Sequence, residues 1–118
     1  MRIKLNKIVT ILLVIAIVLF GCFFNEGIYS ALALDIDSGA KIFEANCVGC
    51  HAKGGNIVRR GKNLKLKTLR KNKLDNLEAI ALLIGEGKNN MPAYSDRLTL
   101  QEIQNVSVYV LNQAEQGW

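Results

Sequence analysis

The hydrophobic pattern divides the chain into an apolar N-terminal run and a longer part in which apolar and polar positions alternate with a helical period. The run extends from Ile8 to Phe24 and is preceded by Arg2, Lys4 and Lys7. As a helix it would be about 26 Å long, slightly less than the ~30 Å hydrocarbon core of a bilayer. Its length therefore does not distinguish a secretory signal from a membrane anchor.

A possible processing site favours the signal. Ala31 to Ala33 has the A-x-A pattern of signal peptidase substrates and follows a short polar stretch. We therefore expect residues 1–33 to be a cleaved signal peptide and residues 34–118 to form the folded domain. Two alternatives remain open, a retained membrane anchor and a lipoprotein signal with lipidation at Cys22, although bulky Phe20 fits the lipoprotein pattern poorly.

The first helix expected in the domain is short. Asp37 or Ser38 can cap a helix that runs through Ala40 to Glu44 and ends near Asn46. In this helix Ala40 and Phe43 share one face, which is typical of a helix packed on a small core.

Two later helices have stronger start signals. Asp75 and Glu78 form a D-x-x-E capping pattern before apolar residues at helical spacing, and Thr99 and Glu102 form a second capping box. Residues 59–73 show no clear period and are predicted to be irregular, with about one turn of helix. Because no strand pattern or repeat is present, the predicted fold class is all-α with long loops.

Cys47, Cys50 and His51 form a C-x-x-C-H pattern, which is typical of covalent haem attachment. Two thiols at this spacing can each add to one haem vinyl group, and the adjoining imidazole can then coordinate the iron. A thiol–disulfide redox pair would need a βαβ scaffold, and a structural zinc site would need four ligands. Haem attachment is thus favoured over both alternatives.

Met91 is the one methionine of the expected domain and precedes Pro92 in a loop. A lone methionine often fills space in a core, but a haem with one histidine needs a second axial ligand, which a thioether can supply. With both axial positions occupied, the iron has no place for oxygen or a substrate. The chemistry therefore points to electron transfer and not to catalysis.

Further motifs follow in order along the domain: Gly54-Gly55-Asn56, Gly87-Lys88, Met91 to Tyr94, Asp96-Arg97-Leu98 and the ending Gln113-Ala114 to Trp118. Together with the C-x-x-C-H pattern, this ordered set resembles cytochrome c6. Members of that family are class I cytochromes c of the thylakoid lumen, which carry electrons from cytochrome b6f to photosystem I.

The resemblance implies a small class I cytochrome c fold, with about three to four short helices wrapped around one covalently bound haem c. Cys47 and Cys50 would attach the haem, and His51 and Met91 would be the axial ligands of its iron. Arg97 matches an arginine beside the exposed haem edge that helps the family dock to photosystem I.

The resemblance also implies that the first helix crosses the last. Gly39 and Phe43 match one side of this crossing, and Val106 and Tyr109 match the other. Leu83 departs from the family pattern, since many members have a glutamine at this position, and polarity near the haem affects its reduction potential.

From Leu34 onward the chain has 12 basic and 9 acidic residues. A basic run is often only a solvated face, but it can also bind an acidic partner or an anionic membrane surface. Nucleic acid is not expected, because no aromatic residues are interleaved with the cations. Eight of the basic residues lie in one stretch without acids: Arg59, Arg60, Lys62, Lys65, Lys67, Arg70, Lys71 and Lys73.

The resemblance, together with the signal-like N-terminus, implies a monomeric electron carrier in the thylakoid lumen or periplasm, without stable membrane insertion after cleavage. Its expected partners are redox proteins, with cytochrome b6f as donor and photosystem I or a terminal oxidase as acceptor. The alternative is a haem redox subunit or sensor that is tethered to a membrane by a retained N-terminus.

Overall fold

The structure is a computed structural model that describes residues 2–23 and 34–118. The chain divides into two compact units after Ala33. The first unit contains helix α1 (Arg2–Phe23). None of the helices in the described ranges is long and apolar enough to cross a membrane. The expected cleavage site at Ala31 to Ala33 lies outside the described residues, so cleavage stays a prediction.

The second unit is helical, and residues 34–118 contain one isolated backbone bridge, between Lys88 and Met91, but no strand. This agrees with the all-α prediction. Short 3-10 helices cover Ala52–Gly54 and Arg60–Lys62. The α-helices are α2 (Ile36–Asn46), α3 (Val48–His51), α4 (Leu66–Lys71), α5 (Leu77–Glu86) and α6 (Leu100–Gln116).

The start of α2 differs from the prediction. Asp35 is the N-cap, and its Oδ1 accepts a hydrogen bond of 3.0 Å from the Ser38 N–H. The predicted caps, Asp37 and Ser38, lie inside the helix. Asp35 takes this role because its backbone is extended (φ −104°, ψ 102°), which places its carboxylate over the free N–H groups of the first turn.

Helix α5 is also capped by a neighbour of the predicted residue. Asn76, and not Asp75, has the extended backbone of an N-cap, and its Oδ1 accepts from the Ala79 N–H at 2.9 Å. The capping box of α6 is confirmed. The Glu102 N–H donates to Thr99 Oγ1 at 3.2 Å, and the Thr99 N–H donates to Glu102 Oε2 at 2.8 Å.

Helix α2 packs against α6 at the crossing that the resemblance implied. A Cβ atom on Gly39 would lie 2.1 Å from the Asn105 carbonyl oxygen and 2.9 Å from Tyr109 Cβ, so the two helices meet backbone to backbone. The rings of Phe43 and Tyr109 pack with their centroids 5.3 Å apart, and Val106 is fully buried. Glycine is required at position 39 because any side chain would separate the helices.

We expect Gly39→Ala to lower the free energy of unfolding by about 3 kcal/mol, because the added methyl group would overpack the crossing. Gly61→Ala is the matched control, since nothing lies within 4 Å of a Cβ at that position. Denaturant unfolding of both variants measures the difference. Equal stability of the two variants would contradict the close crossing.

Candidate haem-binding site

The C-x-x-C-H motif is a single helical turn at the end of α2. The Cys47 N–H donates to the Phe43 carbonyl at 2.8 Å, and the His51 N–H donates to the Cys47 carbonyl at 2.9 Å. Cys47 follows directly on α2 and is half-buried, whereas Cys50 lies on the next turn and is exposed. Both thiols are free and belong to one rigid turn that is anchored by Phe43.

The environment of Cys47 differs from that of a redox-active dithiol. Burial raises the pKa of the Cys47 thiol to about 11. Reactive C-x-x-C pairs have thiols with a lowered pKa, because the thiolate is the attacking species. The thiol–disulfide alternative is therefore disfavoured.

The imidazole of His51 is oriented by a neighbouring carbonyl group. His51 Nδ1 lies 2.8 Å from the Gly55 carbonyl oxygen. With its proton on Nδ1, the ring donates this hydrogen bond and keeps the lone pair of Nε2 for a metal. This is the usual arrangement of a metal-binding histidine, so His51 fits haem iron.

The loop that carries Gly55 is held by the last residue of the chain. A Cβ on Gly54, whose φ is +67°, would lie 2.2 Å from the Trp118 ring, so the indole covers the loop backbone directly. Trp118 Nε1 donates to the Leu64 carbonyl at 2.9 Å, and the Leu64 N–H donates to the Gly54 carbonyl at 2.8 Å. The Trp118 ring also packs 5.2 Å from Phe43. The packing of Trp118 therefore positions the loop that carries the Gly55 carbonyl, which is the hydrogen-bond acceptor of His51.

Met91 lies in a tight turn over the end of α5. Its N–H donates to the Lys88 carbonyl, and the Lys88 N–H donates to the Met91 carbonyl, both at 3.0 Å. Gly87 has a φ of +69°, and a Cβ there would lie 2.6 Å from the Met91 carbonyl oxygen and 2.6 Å from the Ala93 nitrogen. The side chain of Met91 is half-buried and packs against the core.

Tyr94 connects the methionine loop to the C-x-x-C-H turn. Its hydroxyl donates a hydrogen bond of 3.0 Å to the carbonyl of Asn46, the residue before Cys47, and its own N–H donates to the Ile84 carbonyl at 3.0 Å. Burial, followed by the neighbouring Cys47, raises the pKa of the Tyr94 hydroxyl, against a lowering by Arg97. The hydroxyl therefore remains a hydrogen-bond donor.

Sequence reasoning assigned no role to Tyr94, Gly55 or Trp118, although all three belong to the motifs that carried the resemblance. It did assign a role to Arg97, which is exposed and whose guanidinium lies 5.1 Å from the centroid of the Tyr94 ring. The predicted docking residue is thus on the surface beside the residue that joins the two parts of the site.

Together these residues make a donor set that suits haem c. One turn supplies two thiols and an oriented imidazole, and the loop bonded to that turn supplies a thioether. The domain also has half-buried apolar side chains that pack against the core, including Val48, Leu64 and Leu98.

We expect Tyr94→Phe to lower the free energy of unfolding by about 1 kcal/mol, because it removes the hydrogen bond to the Asn46 carbonyl and keeps the ring. Tyr109→Phe is the control, since its hydroxyl only accepts a bond from Gln113 on the same helix. Denaturant unfolding compares the two. An unchanged free energy of unfolding in the Tyr94 variant would contradict the connection through Tyr94.

The chain is similar to several known proteins. A family model described as cytochrome C oxidase, cbb3-type, subunit III matches residues 34–110. A cytochrome c6-like protein of Nostoc sp. (strain PCC 7120 / SAG 25.82 / UTEX 2576) is 59% identical over 81 residues, which are 69% of this chain and 73% of the relative. Cytochrome c6 of Gracilaria tenuistipitata var. liui is 44% identical over 95 residues, covering 80% of this chain and 88% of the relative.

Solved structures give the same result. Cytochrome c6C from Synechococcus sp. PCC 7002 superposes with a TM-score of 0.67 at 58% identity, over 69% of this chain and 99% of that one. Cytochrome c6 from the diatom Phaeodactylum tricornutum superposes with a TM-score of 0.70 at 41% identity, over 71% and 99% of the two chains. Each of these solved chains is covered to 99% by a part of this chain that is about as long as its second unit, residues 34–118.

Fold and site together define a class I cytochrome c with one covalent haem c. Within that class, the chain belongs to the cytochrome c6 family and is a cytochrome c6-like electron carrier.

Proposed function

We propose that Cys47 and Cys50 bind the haem covalently and that His51 and Met91 are the axial ligands of its iron. The observation that carries this proposal is the hydrogen bond from Tyr94 to the Asn46 carbonyl, because it fastens the methionine loop to the turn that bears the other three residues. On this basis the chain is a one-electron carrier and not an enzyme, since no axial position is left for a substrate.

The residues around the haem set its properties. The haem supplies a reversible one-electron change of its iron. The hydrogen bond from His51 Nδ1–H to Gly55 makes Nε2 more basic and fixes the ring. The thioether of Met91 is an uncharged soft ligand, which favours the reduced iron and raises the potential. The half-buried side chain of Met91 packs against the apolar core, which limits the access of water to the thioether.

The physiological path we infer runs from cytochrome b6f to photosystem I or a terminal oxidase, as the resemblance to cytochrome c6 implies. The compartment is the thylakoid lumen or the periplasm, since the positively charged start, apolar run and A-x-A site of residues 1–33 have the order of a cleaved signal peptide. The domain acts as a monomer that leaves one partner for the next.

We expect Met91→Ala to keep its covalent haem but to lose the methionine–iron charge-transfer band of the oxidised protein. Its midpoint potential should fall by roughly 0.2 V, a quarter of the ~0.8 V that axial ligands control. Optical redox titration of the haem-loaded domain measures both. Leu82→Ala on the exposed face of α5 is the control and should retain the band and the potential. A persistent band in the Met91 variant would exclude Met91 as the ligand.

Arg97 is proposed to orient the carrier on photosystem I. We expect Arg97→Glu to slow electron delivery to isolated photosystem I by about tenfold at low salt, since a rim charge acts mainly on the association rate. Lys41→Glu, a charge reversal at an exposed position of α2, is the control. Flash-induced kinetics compare the two. Equal rates for Arg97→Glu and the unmodified domain would disprove the docking role.

A second candidate is a haem redox subunit that stays tethered through residues 1–33. It is favoured by the description of the matching family model, which names a subunit of an oxidase. The mass of the exported haem protein separates the two candidates. Loss of residues 1–33 supports the mobile carrier, whereas an intact or lipidated N-terminus supports the tethered subunit.

A further inference from the structure

Charge is strongly segregated along the folded domain. Residues 45–74 contain nine basic residues and no acidic one, whereas the rest of 34–118 contains three basic and nine acidic residues. All nine cations have exposed side chains. We call them the basic surface: Lys53, Arg59, Arg60, Lys62, Lys65, Lys67, Arg70, Lys71 and Lys73.

The backbone under the basic surface is well held. Asn56 Oδ1 accepts from the N–H groups of Val58 (3.0 Å) and Arg59 (2.7 Å), and Asn56 Nδ2 donates to the Lys62 carbonyl (3.1 Å). On α4, Leu69 is buried at 4% exposure. The cations of that helix therefore face solvent while its apolar side is anchored to the core.

Two exposed aliphatic residues adjoin the basic surface. Ile57 is 71% exposed and Val58 is 55% exposed, and the pair stands directly before Arg59 in the chain. The Ile57 N–H also donates to the Cys50 carbonyl at 3.1 Å, so this apolar pair is bonded to the C-x-x-C-H turn. Apolar residues beside clustered cations are typical of surfaces that lie in the interface of an anionic membrane.

The composition of residues 45–74 favours a lipid surface over a protein as the binding partner. Residues 45–74 contain six lysines, three arginines and no aromatic residue. Protein interfaces are enriched in aromatic residues and arginine and are depleted of lysine. An anionic lipid surface is diffuse and needs only clustered positive charge, to which each lysine or arginine near the headgroups contributes.

We propose that the basic surface binds anionic lipid headgroups, with Ile57 and Val58 at headgroup level. The domain is then held peripherally on a membrane with its C-x-x-C-H turn near the bilayer surface, where membrane-embedded redox partners are reached. The proposal goes beyond electron transfer and does not depend on which residues ligate the iron.

Co-sedimentation of the haem-loaded domain 34–118 with vesicles tests the proposal. One set of vesicles is phosphatidylcholine alone, and the other contains a fraction of phosphatidylglycerol. We expect binding to the second set at low ionic strength, its loss at high salt, and none to the first set. Failure to bind the anionic vesicles at low salt overturns the proposal.

A pair of charge reversals locates the bound face. We expect Lys67→Glu on α4 to weaken binding to the anionic vesicles by about tenfold or more. Lys41→Glu on α2 changes the net charge equally but lies outside the basic surface, and should have a smaller effect. Equal weakening by the two variants means that only net charge matters, which overturns the assigned surface.

A third experiment uses soluble poly-glutamate in place of an acidic protein partner. If the domain binds poly-glutamate through Lys67 but does not sediment with anionic vesicles, the basic surface serves an acidic protein and the lipid proposal is wrong. Circular dichroism of each variant confirms that the reversed charge has not unfolded α4.

Discussion

The contact between α2 and α6 at Gly39 is the constraint on which the site depends. Helix α2 ends in the C-x-x-C-H turn, and α6 ends next to Trp118, which covers the loop after that turn. The Asn105 amide oxygen accepts a bond of 3.1 Å from the Asp35 N–H at the same crossing. If the helices moved apart, the turn and the loop that orients its histidine would lose their common support. Backbone proximity at one glycine therefore fixes the geometry of residues that are distant along the chain.

Two long-range polar contacts of the site are made in the same way, because in each of them a side chain donates to a backbone carbonyl. Tyr94 donates to Asn46, and Trp118 donates to Leu64. Carbonyl groups in loops need such donors when they are partly buried, and each bond contributes about 1 kcal/mol. A domain of about 85 residues has a marginal core, so a few such bonds are a substantial part of its stability. The aromatic donors also fill space that a smaller residue would leave empty.

Local signals were enough to predict helices α2, α5 and α6 and the ligand candidates, but not the short helix α3. The capping box at Thr99 needs only a few adjacent residues and is found as expected. The C-x-x-C-H motif is equally local, and the structure folds it into one helical turn. Cap positions shifted, to Asp35 and Asn76, because neighbouring polar residues compete and the backbone decides between them. Contacts such as Tyr94 with Asn46, 48 positions apart, could not be derived from spacing, because they depend on how packed helices bring loops together.

The segregation of charge reconciles two requirements that oppose each other. A haem site works best in apolar surroundings, whereas a carrier must be guided to its targets by charge. Net charge describes this poorly, because nine cations in residues 45–74 are offset by a surplus of acids elsewhere in the domain. The C-x-x-C-H turn lies within this basic segment, so in the proposed binding mode the turn faces the anionic surface. At physiological salt the Debye length is ~8 Å, and only charges close to the contact contribute. A segment that carries only positive charges and contains the C-x-x-C-H turn meets this condition.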